Sequence, residues 1–313
     1  MPHISALKGA RIGVIAPSGA HLDVQEFERA MVWLHAQGAI LSTSVPSESY
    51  QRFSATDEVR LAGIHEAASR TDLDAVMITR GGYGLSRLLD RIDWGLVAQS
   101  VQRGCRWVGY SDFTALQLGL MAQTGQPSFT GPTISADFGE GKPHPLTLAQ
   151  FESLLSGRIP SVSWSCPVAL TDQRLSLEGT LWGGNLAMLT SLVGTPYLPS
   201  IGQGLLYLED VSEHPYRIER MLHQLYFAGV LQAQKAIIMG EFSNWKPSPQ
   251  DRGYDLASVF DYWRGRLSVP ILEGLPFGHV PARAVLGLGL EYRLRISDGT
   301  AQLDPLRPAW PSR

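Results

Sequence analysis

Trp107-Val108-Gly109-Tyr110-Ser111-Asp112-Phe113 passes from an apolar strand straight into a helix. A serine at that junction presents its hydroxyl at the sheet edge. Beside it, the helix start supplies unpaired backbone N–H groups suited to a developing oxyanion. The layout resembles a nucleophile elbow, although Phe113 stands where the G-x-S-x-G pattern has its second glycine. Serine is also a preferred helix cap, and on this segment alone the cap is the favoured reading.

Arg80-Gly81-Gly82-Tyr83-Gly84 is a second place where chemistry can occur, because bare backbone lets a ligand come close. Three readings stay open: a phosphate cradle, an oxyanion loop pairing the Gly82 N–H with that of Asp112, and a plain tight turn. Neither G-x-x-x-x-G-K-[ST] nor G-x-G-x-x-G is present to support the first.

An acid and a base are needed to complete such a site. Leu205–Leu208 reads as a buried strand that delivers Glu209 and Asp210 at its end, with Glu213 just before the next helix. Asp210 and Glu213 suit the positive end of that helix. Glu209 lies further from it and can hold an imidazole in the right tautomer. Among eight histidines, His279 stands out in the Gly/Pro-bounded loop Leu275-Pro276-Phe277-Gly278-His279-Val280-Pro281. No H-E-x-x-H, C-x-x-C or H-x-H spacing suggests a metal site.

The elements positioning these residues alternate strand and helix in the first half. Strands are expected at Ile12–Ala16, Ala39–Ser44, Asp74–Thr79 and Arg106–Tyr110. Helices are expected around Val24–Leu34, after a Thr56 cap with Val59, Ala62 and Ile64 inward, around Leu85–Leu89, and over Phe113–Ala122. This order implies a parallel sheet covered by helices, whose ligands bind beyond the carboxyl ends of the strands. Arg80–Gly84 and Ser111-Asp112 both fall there. The second half has shorter strands and one strong helix from Pro215, with Ile218, Met221, Leu222, Leu225 and Tyr226 inward and an end before Gly229. We therefore expect an α/β domain over residues 1–140, a linker over 141–165, and a smaller strand-rich domain over 166–313.

A hydrophobic content of 44% against 18% charged residues supports a sizeable core and excludes a disordered chain. With a net charge of -3 and no run of Lys or Arg, no nucleic-acid partner is expected. Met1-Pro2-His3-Ile4-Ser5 lacks a secretory layout, the first apolar stretch, Arg11–Ala16, is too short to span a bilayer, and Cys105 and Cys166 are in no ligand spacing. A cytoplasmic protein with no membrane partner is the expectation.

Taken together, the segments resemble the LD-carboxypeptidases, also called muramoyl-tetrapeptide carboxypeptidases, a group of serine peptidases. The resemblance runs through Ala16-Pro17-Ser18-Gly19, Arg80–Gly84, Gly109–Ala115, Gly131-Pro132, Gly179–Leu186, Leu208-Glu209-Asp210, His214–Arg220 and Phe277-Gly278-His279. It implies Ser111 as nucleophile, Glu209 as the acid and His279 as the general base. The backbone N–H groups of Gly82 and Asp112 then form the oxyanion hole. It implies no cofactor, a homodimer, and an active site in the cleft between the two domains. The implied substrate is a peptidoglycan-derived tetrapeptide that loses its terminal D-alanine. We further expect Trp182 and Asn185 in the wall between the domains to contact substrate, while for Arg80 and Arg217 a structural ion pair is the favoured reading and a substrate carboxylate the alternative. A related branch cleaves peptide–nucleotide antibiotics, and a silent ligand-binding protein is the rival from another class. One departure is that Val285-Leu286-Gly287-Leu288-Gly289 stands where the family usually has a Pro-x-Gly turn.

Overall fold

The computed structural model describes residues 5–166 and 175–310. His3 of the opening segment therefore lies outside the described residues. The first sheet is built from β1 (Arg11–Ile15), β2 (Ile40–Ser44), β3 (Ala75–Ile78), β4 (Arg106–Val108) and β5 (Ser128–Thr130). Between them run α1 (Val24–Ala36), α2 (Asp57–Ser69), α3 (Trp94–Gln102) and α4 (Thr114–Thr124). Asp23, Thr56 and Asp93 cap the first three helices, each side chain accepting a backbone N–H of the first turn. Gly125, in the left-handed region at φ 68°, ends α4.

The strands so far are parallel, in the order β5-β4-β3-β1-β2. Chain direction across the sheet reverses after β2, so the loops following β1 and β3 part at the carboxyl edge. Such a switch point is where doubly wound sheets hold ligands. Here the parting loops are Ala16–Gly19 and Arg80–Gly84, tied by a Gly19 N–H to Gly81 carbonyl bond of 3.2 Å.

Two helix expectations need correction. No α-helix forms over Leu85–Leu89; a single 3-10 turn, Leu85–Arg87, follows Gly84, and α3 starts only at Trp94. Those leucines are buried as loop anchors instead. In α2 the inward face is Arg60, Gly63, Ile64, Ala67 and Ala68, while Val59 is 47% exposed and Ala62 is exposed. A charged residue faces inward because Asp57 and the Pro17 carbonyl satisfy the Arg60 guanidinium.

Beyond β5 come α5 (Ile134–Phe138) and α6 (Pro145–Leu155). The second sheet contains β6 (Val162–Ser165), β7 (Leu175–Asn185), β8 (Leu205–Val211), β9 (Ala236–Ser243), β10 (Ile271–Leu272), β12 (Leu290–Ser297) and β13 (Thr300–Pro305), in the order β10-β9-β8-β7-β12-β13-β6. With it go α7 (Leu186–Ser191), α8 (Pro215–Phe227) and α9 (Leu256–Arg266). In α8, Ile218, Leu222 and Leu225 are buried, while Met221 and Tyr226 pack against the core only in part. The parallel run β7 to β10 buries Leu205–Leu208 on both faces, which is why that stretch carries no polar alternation.

The unusual Val285–Gly289 segment has a structural use. Leu286–Leu288 forms β11, antiparallel to β5 at the edge of the first sheet. From there Gly289 turns the chain into β12, so one short segment stitches the two sheets together. A second joint lies where Gly183 and Gly184, at φ 133° and 126°, approach the other domain. A β-carbon on Gly184 would sit 2.7 Å from Thr114 Oγ1, and the next residue's N–H donates to that same hydroxyl at 3.2 Å.

Gly184→Ala should therefore destabilise the protein by about 2–4 kcal/mol through a forbidden φ and a clash at the joint. Urea unfolding against the parent chain measures this, and an unchanged midpoint would contradict it.

Candidate active site

The glycine loop, the His279 loop and the Glu209 end of β8 meet at Ser111. Its hydroxyl caps no helix, because neither the 3-10 turn Ser111–Phe113 nor α4 has a side-chain cap. Ser111 instead sits in the left-handed region at φ 66°, a conformation costly for a residue with a β-carbon. This turn lifts Oγ out of the sheet edge toward His279, whose Nε2 lies 3.0 Å away. The bulky Phe113 is tolerated because its ring fills the space beside Gly109, where any β-carbon would come within 2.7 Å of it.

His279 Nδ1 lies 2.8 Å from Glu209 Oε2. Glu209 ends the buried core of β8 and is 0% exposed. A carboxylate removed from water needs donors, and Asn185 Nδ2 supplies one at 3.1 Å to Oε1. The bond to Glu209 holds the Nδ1 proton, leaving Nε2 to accept from the Ser111 hydroxyl. The base loop is held just as firmly. Gly278 takes φ 147°, and a β-carbon there would reach the Glu241 carbonyl at 2.8 Å.

Beside the hydroxyl lies the glycine loop. A β-carbon on Gly81 would fall 2.6 Å from Ser111 Oγ, so the bare backbone is a steric requirement of the position Ser111 takes. Gly82 follows at φ 110°, and its N–H has no acceptor among the described residues. Asp112 fastens this loop: its buried carboxylate accepts the Leu85 N–H at 3.0 Å. Burial pushes that carboxyl above its ordinary range.

The remaining sequence candidates are placed as follows. Trp182 is 1% exposed, with its indole N–H on Gln234 Oε1 at 2.9 Å, so it packs in the core of the second domain. Asn185 is committed to Glu209 and to Asp210 Oδ1, which makes it a brace for the acid. Arg217 pairs with Glu213. Arg80 is half-buried and donates to the Ala20 carbonyl at 2.6 Å; among the described residues it has no carboxylate partner. Asp210 serves α7, not α8, accepting the Ala187 N–H at 2.9 Å. Among the described residues, no cluster of three or more His, Cys, Asp or Glu is arranged to hold a metal ion.

Sequence reading missed the brace on the far side of His279. Buried Arg283 donates to the carbonyls of Gly278 (2.8 Å) and Val280 (3.0 Å), the two residues flanking the imidazole. It also bonds Tyr110 Oη at 3.0 Å, stacks over that ring at 3.8 Å, and pairs with Asp137 of the first domain. The Tyr110 ring in turn meets His279 edge-on at 4.9 Å. Nothing in the spacing of Tyr110, Asp137 and Arg283 marks them as partners; only an arginine soon after the loop histidine hinted at it.

The α/β domain and the smaller strand-rich domain thus bring a serine, an imidazole and a buried carboxylate into hydrogen-bonded series, beside a loop whose Gly82 N–H has no acceptor among the described residues. The chain matches the family described as LD-carboxypeptidase N-terminal domain over residues 12–131, and its LD-carboxypeptidase C-terminal domain over residues 178–294. It belongs to the LD-carboxypeptidase family.

Among relatives, the probable murein peptide carboxypeptidase of Bacillus subtilis is 30% identical over 298 residues, covering 95% of this chain and 92% of its own. The murein tetrapeptide carboxypeptidase of Pseudomonas aeruginosa is 31% identical over 280 residues, covering 86% and 88%. The crystal structure of muramoyltetrapeptide carboxypeptidase from Oxalobacter formigenes superposes with a TM-score of 0.88 at 39% identity, covering 97% of this chain and 100% of that one. The microcin C7 self immunity protein MccF shares the fold alone, with a TM-score of 0.83 at 23% identity.

Two outcomes are expected here. Gly81→Ala should lower the reaction of Ser111 with a fluorophosphonate probe by about 100-fold or more while leaving the protein folded, since it displaces one hydroxyl and the oxyanion loop. Labelling at the parent rate would refute this. The second concerns Asp210, whose carboxyl is raised to about 6 by burial and by Glu209 beside it. The folded state therefore binds this proton more tightly than the unfolded chain. Stability from this group is fully present below about pH 4 and is lost as pH rises through 6, by on the order of 3 kcal/mol. Asp210→Asn should flatten that slope in urea unfolding between pH 4 and 7; an unchanged slope would show the assignment wrong.

Proposed function

We propose that this carboxypeptidase releases the terminal D-alanine from peptidoglycan-derived tetrapeptides through a Ser111–His279–Glu209 acyl-enzyme mechanism. The observation that carries this reading is the unbroken series Ser111 Oγ, His279 Nε2, His279 Nδ1, Glu209 Oε2, with links of 3.0 and 2.8 Å. It is joined to family membership and to the named activities of the relatives.

In the first step His279 takes the Ser111 proton as Oγ bonds to the scissile carbonyl carbon. The oxygen, now negative, is received by the N–H groups of Gly82 and Asp112. Glu209 stabilises the imidazolium. That imidazolium then delivers its proton to the D-alanine nitrogen as the C–N bond breaks. Water, activated by the same imidazole, hydrolyses the acyl-enzyme and restores Ser111. Arg80, beside the oxyanion loop and without a carboxylate partner, takes a carboxylate of the acyl portion. Arg217 is held by Glu213, so the reading gives it no substrate. Recycling of imported wall fragments by a cytoplasmic homodimer is the setting this reading implies.

The test is incubation of a muropeptide tetrapeptide with the protein and its variants, following D-alanine by mass spectrometry. Ser111→Ala should reduce release by at least about 10⁴-fold, and Glu209→Gln by about 10²- to 10⁴-fold. Equal release by Ser111→Ala would sink the serine mechanism. Release by none of the proteins, with cleavage of a peptide–nucleotide instead, would replace the substrate class.

A further inference from the structure

We propose that the recess bordered by His279 and Tyr110 is the leaving-group pocket, and that Lys142 holds the terminal carboxylate of the departing amino acid there. The inference rests on the carboxypeptidase reading above and assigns it a specificity determinant.

The chemistry restricts where such a pocket can be. The imidazole that gives a proton to the leaving amine must be within hydrogen-bond reach of that nitrogen. In a terminal amino acid the carboxylate is only two bonds from the nitrogen. A cation that reads it must therefore border the same space as His279. The molecule has such a space, a cleft of about 230 Å³ lined by Tyr110, His279, Val280 and Pro281 together with Glu140, Lys142 and His144. It is small beside the roughly 300–1,000 Å³ of typical small-molecule sites, as suits one short residue.

Charge within the recess singles out Lys142. Arg283 and Asp137 also line it, but they neutralise each other, and the guanidinium is further occupied by Gly278, Val280 and Tyr110. Lys142 is exposed and has no ion pair among the described residues. His144 adds a donor: its Nδ1 accepts the Leu146 N–H at 3.3 Å, which leaves the proton on Nε2. Glu140 on the same rim carries the opposite sign. It repels a carboxylate and attracts the ammonium that exists only after cleavage and protonation, which orients the released amino acid. Arg80 cannot serve, because it lies at the Gly19–Ala20 side of the glycine loop.

The experiment compares kcat/KM for a tetrapeptide ending in D-alanine with that for the same peptide ending in D-alaninamide. The parent protein should favour the acid, and Lys142→Gln should lower the acid-to-amide ratio by about 10- to 100-fold, as loss of a charge-assisted contact predicts. Lys142→Arg should restore most of the ratio, and Glu140→Gln should raise it. Equal use of acid and amide by the parent, or a ratio that Lys142→Gln does not change, would overturn the assignment. If the parent cleaves neither peptide, the proposed reaction itself fails. The recess is then judged by NMR titration, where D-alanine binding that is absent for D-alaninamide and weakened in Lys142→Gln supports it. Absence of D-alanine binding overturns it.

Discussion

Glu209 is a carboxylate with no access to water, and a charge in that position must find its compensation inside the protein. Two donors meet it, the His279 ring and the Asn185 amide, and each is brought by a different part of the second domain. Asn185 sits at the end of β7 next to the Gly183-Gly184 approach to Thr114, so the group that satisfies the acid is also the group that seats one domain on the other. The carboxylate, the imidazole and the domain joint are thus one connected network. A buried polar network of this kind stabilises only when all its members are present, because each lost partner leaves another stranded.

The opposite half of the site is organised by backbone strain and by glycine. Ser111 takes a left-handed φ, and the turn is held from both sides, by Phe113 over Gly109 and by the Asp112 bond to Leu85. The glycine loop is then pressed so close that no β-carbon fits at Gly81. Strain of this kind persists only where neighbours over-determine it. Its effect is to aim a hydroxyl at the imidazole and to leave the Gly82 N–H without a partner among the described residues.

Arg283 links these halves from behind. Its guanidinium fork reaches the carbonyls on either side of His279, the Tyr110 phenol at the end of the nucleophile strand, and Asp137 in the first domain. A lysine has no such planar set of donors and would leave several of these acceptors unmet. The stitch through β11 gives the same joint a backbone component. His279 is therefore fixed relative to Ser111 by contacts from both domains.

Local sequence determined a good deal of this. Alternating apolar segments and the Thr56 cap specified strands and helices, because those signals depend on neighbours within a turn or two. The strand ends before Arg80 and Ser111 were legible for the same reason, and the parallel order put both at one sheet edge, whereas β8 continues through Glu209 to Val211 instead of ending at Leu208. Where local signals competed, the sequence alone misled: Leu85–Leu89 has a helical pattern yet anchors a loop, and Trp182 and Asn185 looked like cleft lining yet serve the core and the acid. Arg283, Asp137 and Tyr110 lie far apart along the chain, and no periodicity connects a buried cation to partners in another domain. Their meeting was decided by tertiary structure, since the cost of burying charge is settled only by what the whole fold brings within reach.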